Sequence, residues 1–163
     1  MLSANNIVYG DDIFTGGLNT SAVYTPSLSG AIATIDFSID LLEDPTQPGA
    51  SAWQLLLEQG GTLYYSVPLQ GFNNSIWQIF QQNGLTANDF DTNPNVGVPG
   101  AIPNNQQPDF TANGAPITFG YVLGNGLTGP GTLTVNNSVD NWLVTINVSN
   151  NNNQSLFLPI VLK

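Results

Sequence analysis

Basic side chains are almost missing: among 163 residues the only lysine or arginine is Lys163, the last one, and histidine and cysteine are absent. Without an imidazole, a thiolate or an internal lysine, the nucleophile-and-base pairs that depend on those groups cannot be assembled. The chemistry that remains belongs to nine Asp, two Glu, five Tyr and the hydroxyl residues. Charge of either sign is scarce. Charged residues make up 7% of the chain, against roughly a quarter in ordinary soluble domains, so solubility rests on Asn, Gln, Ser and Thr. The formal net charge of −10 repels phosphate backbones and anionic head groups, which argues against nucleic acid or a membrane surface as partner. No stretch approaches the apolar length of a spanning helix, so no membrane insertion is expected. Met1 to Asn6 lacks the basic and apolar regions of an export signal, and such a signal is expected to have preceded this numbering. The lack of cysteine does not prevent folding, because a chain of this length buries about two-thirds of its surface in one core.

What is present reads as a β-protein. The apolar share is 41%, with Gly 17, Pro 11 and a polar run at Asn150 to Asn153, a profile that suits an extracellular or cell-surface protein. The apolar pattern has period two, the mark of half-buried strands. Ile35, Phe37, Ile39 and Leu41 alternate with Asp36, Ser38 and Asp40. Similar alternation predicts strands at 52–58, 62–67, 75–81, 117–123, 131–135 and 142–148. Turn signals fall between them, including Asn83-Gly84, Asn125-Gly126 and Asn136-Asn137. Leu85 to Phe90 allows one helical turn capped by Thr86. The expected fold class is all-β, a single antiparallel sandwich. It occupies residues 1–154, and a C-terminal strand follows at 155–163. Met1 to Gly17 falls outside the sandwich pattern. Asn93 to Pro108, with four prolines and no periodicity, is expected to be an ordered surface loop.

These segments carry a family resemblance. Gly16 to Ser21, Ile32 to Asp40, Leu56 to Tyr65, Trp77 to Phe80 with Gly84 to Phe90, Pro108 to Gly120, and Val139 to Trp142 together resemble the jelly-roll ectodomains of bacterial PEP-CTERM-type exported proteins, over about residues 16–148. The resemblance implies a jelly-roll sandwich of lectin or carbohydrate-module type on an exported surface protein, a class of domain with no agreed activity; a non-catalytic role is expected. The chain departs from that pattern by ending in Leu156 to Lys163 in place of a sorting tail.

Four groups of residues are candidates for function. Asp89, Asp91 and Asn93 present oxygens at alternate positions, the spacing by which short loops collect hard-cation ligands. Asp11, Asp12 and Asp140 could add oxygens to a structural Ca²⁺, although no cofactor is required; the plain alternative is that these residues hydrogen-bond local backbone. Tyr64 and Tyr65 must face opposite sides of a strand, so one of them is a candidate ligand-binding platform for an extracellular glycan. Trp53, Trp77 and Trp142 run in phase with aliphatic neighbours and read as core. Asp36 and Asp40 share a strand face, roughly 10 Å or more apart by strand rise, too far for a usual glycosidase pair. The last group is the terminal strand: Leu156, Leu158, Ile160 and Leu162 on one face, Phe157, Pro159 and Val161 on the other. Either it closes the chain's own sheet, or it is donated to another copy and builds a homopolymer. The leading expectation is a non-catalytic structural or adhesion subunit of the cell surface, which strand donation could assemble into a filament or surface layer; a carbohydrate-binding module is the alternative.

Overall fold

The computed structural model describes residues 2–8, 12–45, 50–70, 75–97, 100–126, 130–149 and 155–159. The chain runs through β1 (Leu2–Val8), β2 (Asp12–Tyr24), a short α1 (Pro26–Ser29), β3 (Ile32–Pro45), β4 (Ala50–Gln59), β5 (Thr62–Ser66), β6 (Leu69–Gln70), β7 (Gln78–Leu85), a 3-10 turn (Ala87–Asp89), β8 (Phe90–Asp91), β9 (Ile117–Gly126), β10 (Thr132–Val148) and β11 (Ser155–Pro159). Every described strand pair is antiparallel. One sheet has the order β1-β10-β3-β7, with β11 also on β10. The other has the order β2-β9-β4-β5-β8, with β6 also on β4. The fold is therefore all-β and sandwich-like.

The core lies between the two sheets because the alternating strands turn their apolar residues toward each other. Ile35, Phe37, Ile39 and Leu41 of β3 and Val144 and Ile146 of β10 meet Trp53, Leu55 and Leu57 of β4 and Ile117, Phe119 and Leu123 of β9. On the far side of the second sheet, Gln54, Leu56 and Val122 are out of phase with the core and yet buried. Part of this cover is the loop after β8, since Gln54 Nε2 donates to Pro94 O at 2.8 Å and to Ser66 O at 2.7 Å. The Asn93 to Pro108 segment is thus tied back to its own domain at Pro94. A second polar staple, Gln59, donates to Asp109 O and Ala115 O and accepts from Asp109 N, pinning the turn that leads into β9.

Several expectations change. The N-terminal segment lacks the period-two pattern and yet supplies strands to both sheets: β1 pairs with β10 and β2 with β9. Asn136-Asn137 is no turn, since it lies within the single long strand β10. Asn83-Gly84 also stays inside a strand, β7, where Gly84 has φ 72° at a shift of register against β3. A bulge keeps the chain extended where a turn dipeptide alone reads as a reversal. The described part of the terminal strand runs beside β10, which leaves both readings of that strand standing. Ser155–Pro159 pairs with Asn147–Leu143 of β10, on the edge that β1 covers farther along from Asn137 to Thr132.

Candidate functional site

Two irregularities open a cleft at the side of the sandwich. β2 follows β9 in register from Asp12 opposite Gly126 to Leu18 opposite Gly120, and resumes at Val23 opposite Thr118. Between those points β2 carries more residues than its partner, so Asn19 to Ala22 swing out of the ladder. Asn19 Oδ1 accepts the Ser21 N–H at 3.0 Å and braces this excursion. On β10, one extra residue relative to β3 falls between Asp140 and Leu143. Asn141 takes φ 47° there, a left-handed conformation that Asn tolerates better than most residues. The bulge shifts the phase of β10, so that Val135 and Asn137 before it and Trp142, Val144 and Ile146 after it are all buried.

The resulting cleft is lined by Gly17, Leu18, Asn19, Thr20, Tyr121 and Trp142, with a volume of about 240 Å³. Tyr121 stands between two indoles. Its ring lies 6.0 Å from that of Trp142, edge to face, and 6.2 Å from that of Trp53. Burial pushes the Tyr121 phenol above its ordinary pKa, so it is a neutral donor and acceptor at physiological pH. The two indole N–H groups differ. Trp53 Nε1 donates to Glu43 Oε1, whereas the buried Trp142 Nε1 has no acceptor. A buried donor left unmade costs about 1–3 kcal/mol, and this one belongs to a residue that also lines the cleft. No lining residue carries a charge.

A second depression of about 220 Å³ lies on the outer face of the first sheet, lined by Asp36, Phe37, Ser38, Gln81, Asn83, Leu143 and Thr145. Its carboxylate is already occupied: Asp36 accepts from Gly84 N at 2.7 Å and from Asn147 Nδ2 at 3.0 Å. Asp40 on the same face accepts from Asn141 Nδ2. Trp77 corrects an expectation. It is in phase with Ile79 as the sequence indicates, but both are exposed, at 50% and 70%. β7 is the last strand of its sheet, and only Phe80 and Leu85 of its side chains reach the core.

The other candidates scatter. Asp89 Oδ2 accepts the N–H and the hydroxyl of Thr86 and caps the 3-10 turn. Asp91 is buried and takes the backbone N–H groups of Asn93, Asn104 and Asn105 at 2.7–3.0 Å. Asn93 Oδ1 accepts from Asn95 N, and its Nδ2 donates to Ile102 O. All three serve local backbone, the plain alternative. Asp140 accepts from Asn141 N, Asp12 stands on β2 opposite Gly126, and Asp11 lies outside the described residues. No group of three or more carboxylates placed to hold a metal occurs among the described residues. Tyr64 packs against the core and Tyr65 pairs with Leu56 and Asp91; both are half-buried. Leu156, Phe157 and Leu158 sit opposite Ile146, Thr145 and Val144, while Ile160, Val161 and Leu162 lie outside the described residues. In the sequence Trp142 reads as core because it is in phase with Val144 and Ile146, and Tyr121 carries no signal of its own. The bulges that uncover them have only weak sequence marks, Gly16-Gly17 and Asp140-Asn141.

Comparison with protein-family models, with curated proteins and with solved structures finds no match to this chain.

Proposed function

We propose that this chain is a non-catalytic, exported sandwich module of jelly-roll connectivity whose lateral cleft binds a neutral sugar residue. What supports the connectivity is the order of the principal strands, β1-β10-β3-β7 against β2-β9-β4-β5, in which successive strands interleave as in paired Greek keys. What supports the ligand class is the lining: two aromatic rings, amide and hydroxyl groups, and no charge. Export and a cell-surface location suit the low charge and the Asn-rich composition. The single observation that carries the reading is the indole N–H of Trp142, buried, without an acceptor, in a residue that lines an open cleft.

Titration with a panel of neutral mono- and disaccharides tests it. Trp142→Phe keeps the ring packing but removes the donor, and is expected to weaken binding about five- to tenfold, the value of one hydrogen bond. Thr20→Val at the rim weakens binding without touching the core, while Trp77→Ala on the far face leaves it unchanged. Loss of binding in Trp77→Ala alone would move the site to the outer face.

Strand donation stands second, favoured by a strand-length place on β10 that a terminal segment fills after the polar 150–154 run. A neighbour's β11 would take the same register. Light scattering on the full chain and on a version ending at Asn150 decides it: polymers from the first and monomers from the second are expected of exchange, and monomers from both exclude it.

A further inference from the structure

The inward faces of the strands are apolar along most of their length and turn polar at one end. On β3 the series Ile35, Phe37, Ile39, Leu41 continues to Glu43, and on β9 Phe119, Tyr121, Leu123 continues to Asn125. β4 opens with Ser51 before Trp53, and on β10 Asn137 follows Val135 by two. These four polar residues are nearly or fully buried, with exposures of 2% for Glu43, 8% for Ser51, 2% for Asn125 and 0% for Asn137. Register brings them together. Glu43 is directly opposite Asn137 on the neighbouring strand of one sheet, and Ser51 directly opposite Asn125 in the other. The two pairs are tied across the sandwich, since Ser51 Oγ donates to Glu43 Oε2 at 2.7 Å and Trp53 Nε1 donates to Glu43 Oε1.

The layer is unbalanced in two ways. No lysine, arginine or histidine occurs among the described residues to offset the Glu43 charge, and a buried carboxylate ordinarily has a cation or a full set of donors around it. Both amide atoms of Asn125 and both of Asn137 lack a hydrogen-bond partner, although buried polar groups in folded proteins are nearly always satisfied. One carboxylate, two amide oxygens and a hydroxyl are hard oxygen donors, the set that Ca²⁺ takes at irregular, high coordination.

We propose that Glu43, Ser51, Asn125 and Asn137 form a buried site for one hard divalent cation of the Ca²⁺ class, held between the two sheets. The site is separate from the cleft and does not depend on the sugar reading. With a single carboxylate among neutral donors its affinity falls in the weak range of extracellular Ca²⁺ modules, on the order of 10⁻⁴–10⁻³ M.

Terbium luminescence tests this on the full chain, because the Trp53 indole touches the ligating carboxylate and would sensitise a Tb³⁺ ion bound there. The expected result is emission on indole excitation that saturates at one ion per chain and is displaced by Ca²⁺. It is lost in Glu43→Gln and in Trp53→Phe. Asn125→Leu guards against an unfolded Glu43 variant, because it swaps an unpartnered amide for a side chain of similar size; it is expected to fold, to melt no lower in chelator than the parent, and to lose the Ca²⁺-dependent rise in Tm. Emission that does not saturate, or a Ca²⁺ response that persists undiminished in both Glu43→Gln and Asn125→Leu, would assign the ions to the acidic surface and overturn the proposal.

Discussion

Gly120→Ala is expected to destabilise the protein by about 3 kcal/mol or more, a fall in Tm of roughly 6–12 °C for a chain of this size. A Cβ at Gly120 would stand 2.1 Å from Gly17 O and 2.9 Å from Leu18 Cα, and one at Gly16 would stand 2.4 Å from Tyr121 O. The obstructing atoms are backbone, so no side chain can turn aside, and β2 must separate from β9 where Leu18 pairs with Gly120. The segment that moves forms the rim of the cleft, so ligand affinity should fall together with stability. Gly17→Ala is the matched control. Nothing lies within 4 Å of its added Cβ, and its stability should stay within about 0.5 kcal/mol of the parent. Thermal and urea unfolding of the two variants measure the difference directly, and equal effects would show that the close approach of the two strands does not govern this edge.

Asp91→Asn should cost about 2–4 kcal/mol at neutral pH and far less in acid. Burial alone raises the Asp91 pKa, but the backbone N–H groups of Asn93, Asn104, Asn105 and Gln106 outweigh it and hold the carboxyl below its ordinary value. Hydrogen bonds to a charged group are worth about 1.5–3 kcal/mol each. An amide at this place would turn an N–H₂ toward at least one backbone N–H. Because the folded-state pKa lies below the unfolded value of about 3.9, the stabilising contribution is complete above that unfolded value. It is lost as pH falls through the lower folded value. Urea denaturation of parent and variant at pH 7 and near pH 2 should therefore give a gap that narrows in acid. A gap of equal size at both pH values would mean that the loop is held by shape and not by the ionised carboxylate.

The physics of alternation explains why much of the sandwich could be read from the sequence. Ile35 to Leu41, Trp53 to Leu57 and Trp142 to Ile146 have one face each in contact with core, and a two-residue period records that without ambiguity. The errors fall where period two does not decide the face. Trp77 and Ile79 are in phase with each other, but β7 is an edge strand, and only tertiary placement says which of its faces meets the other sheet. Asn83-Gly84 and Asn136-Asn137 have turn chemistry, yet they sit in a bulge and in a strand interior, because the surrounding ladder outweighs a local preference. The cation layer was legible in principle: Glu43 continues the Leu41 phase and Asn125 the Leu123 phase. Recognising it required the register, since only pairing shows that Glu43 meets Asn137 and that Ser51 meets Asn125. The cleft was the least legible feature, because it depends on two bulges on strands far apart in sequence that bring Gly17 to Thr20 beside Trp142.

The three tryptophans allow one direct measurement of the binding claim. Their indole N–H groups have different surroundings: Trp53 bonded to Glu43, Trp77 half exposed and Trp142 buried without an acceptor. A nitrogen–proton correlation spectrum of the uniformly labelled full chain, with each indole signal assigned by substitution, should be followed during titration with neutral sugars. One sugar class is expected to shift the Trp142 indole proton downfield, as a new hydrogen bond forms, while the Trp53 and Trp77 signals stay in place. A titration in which Trp77 alone moves, or in which no sugar moves Trp142, would contradict it.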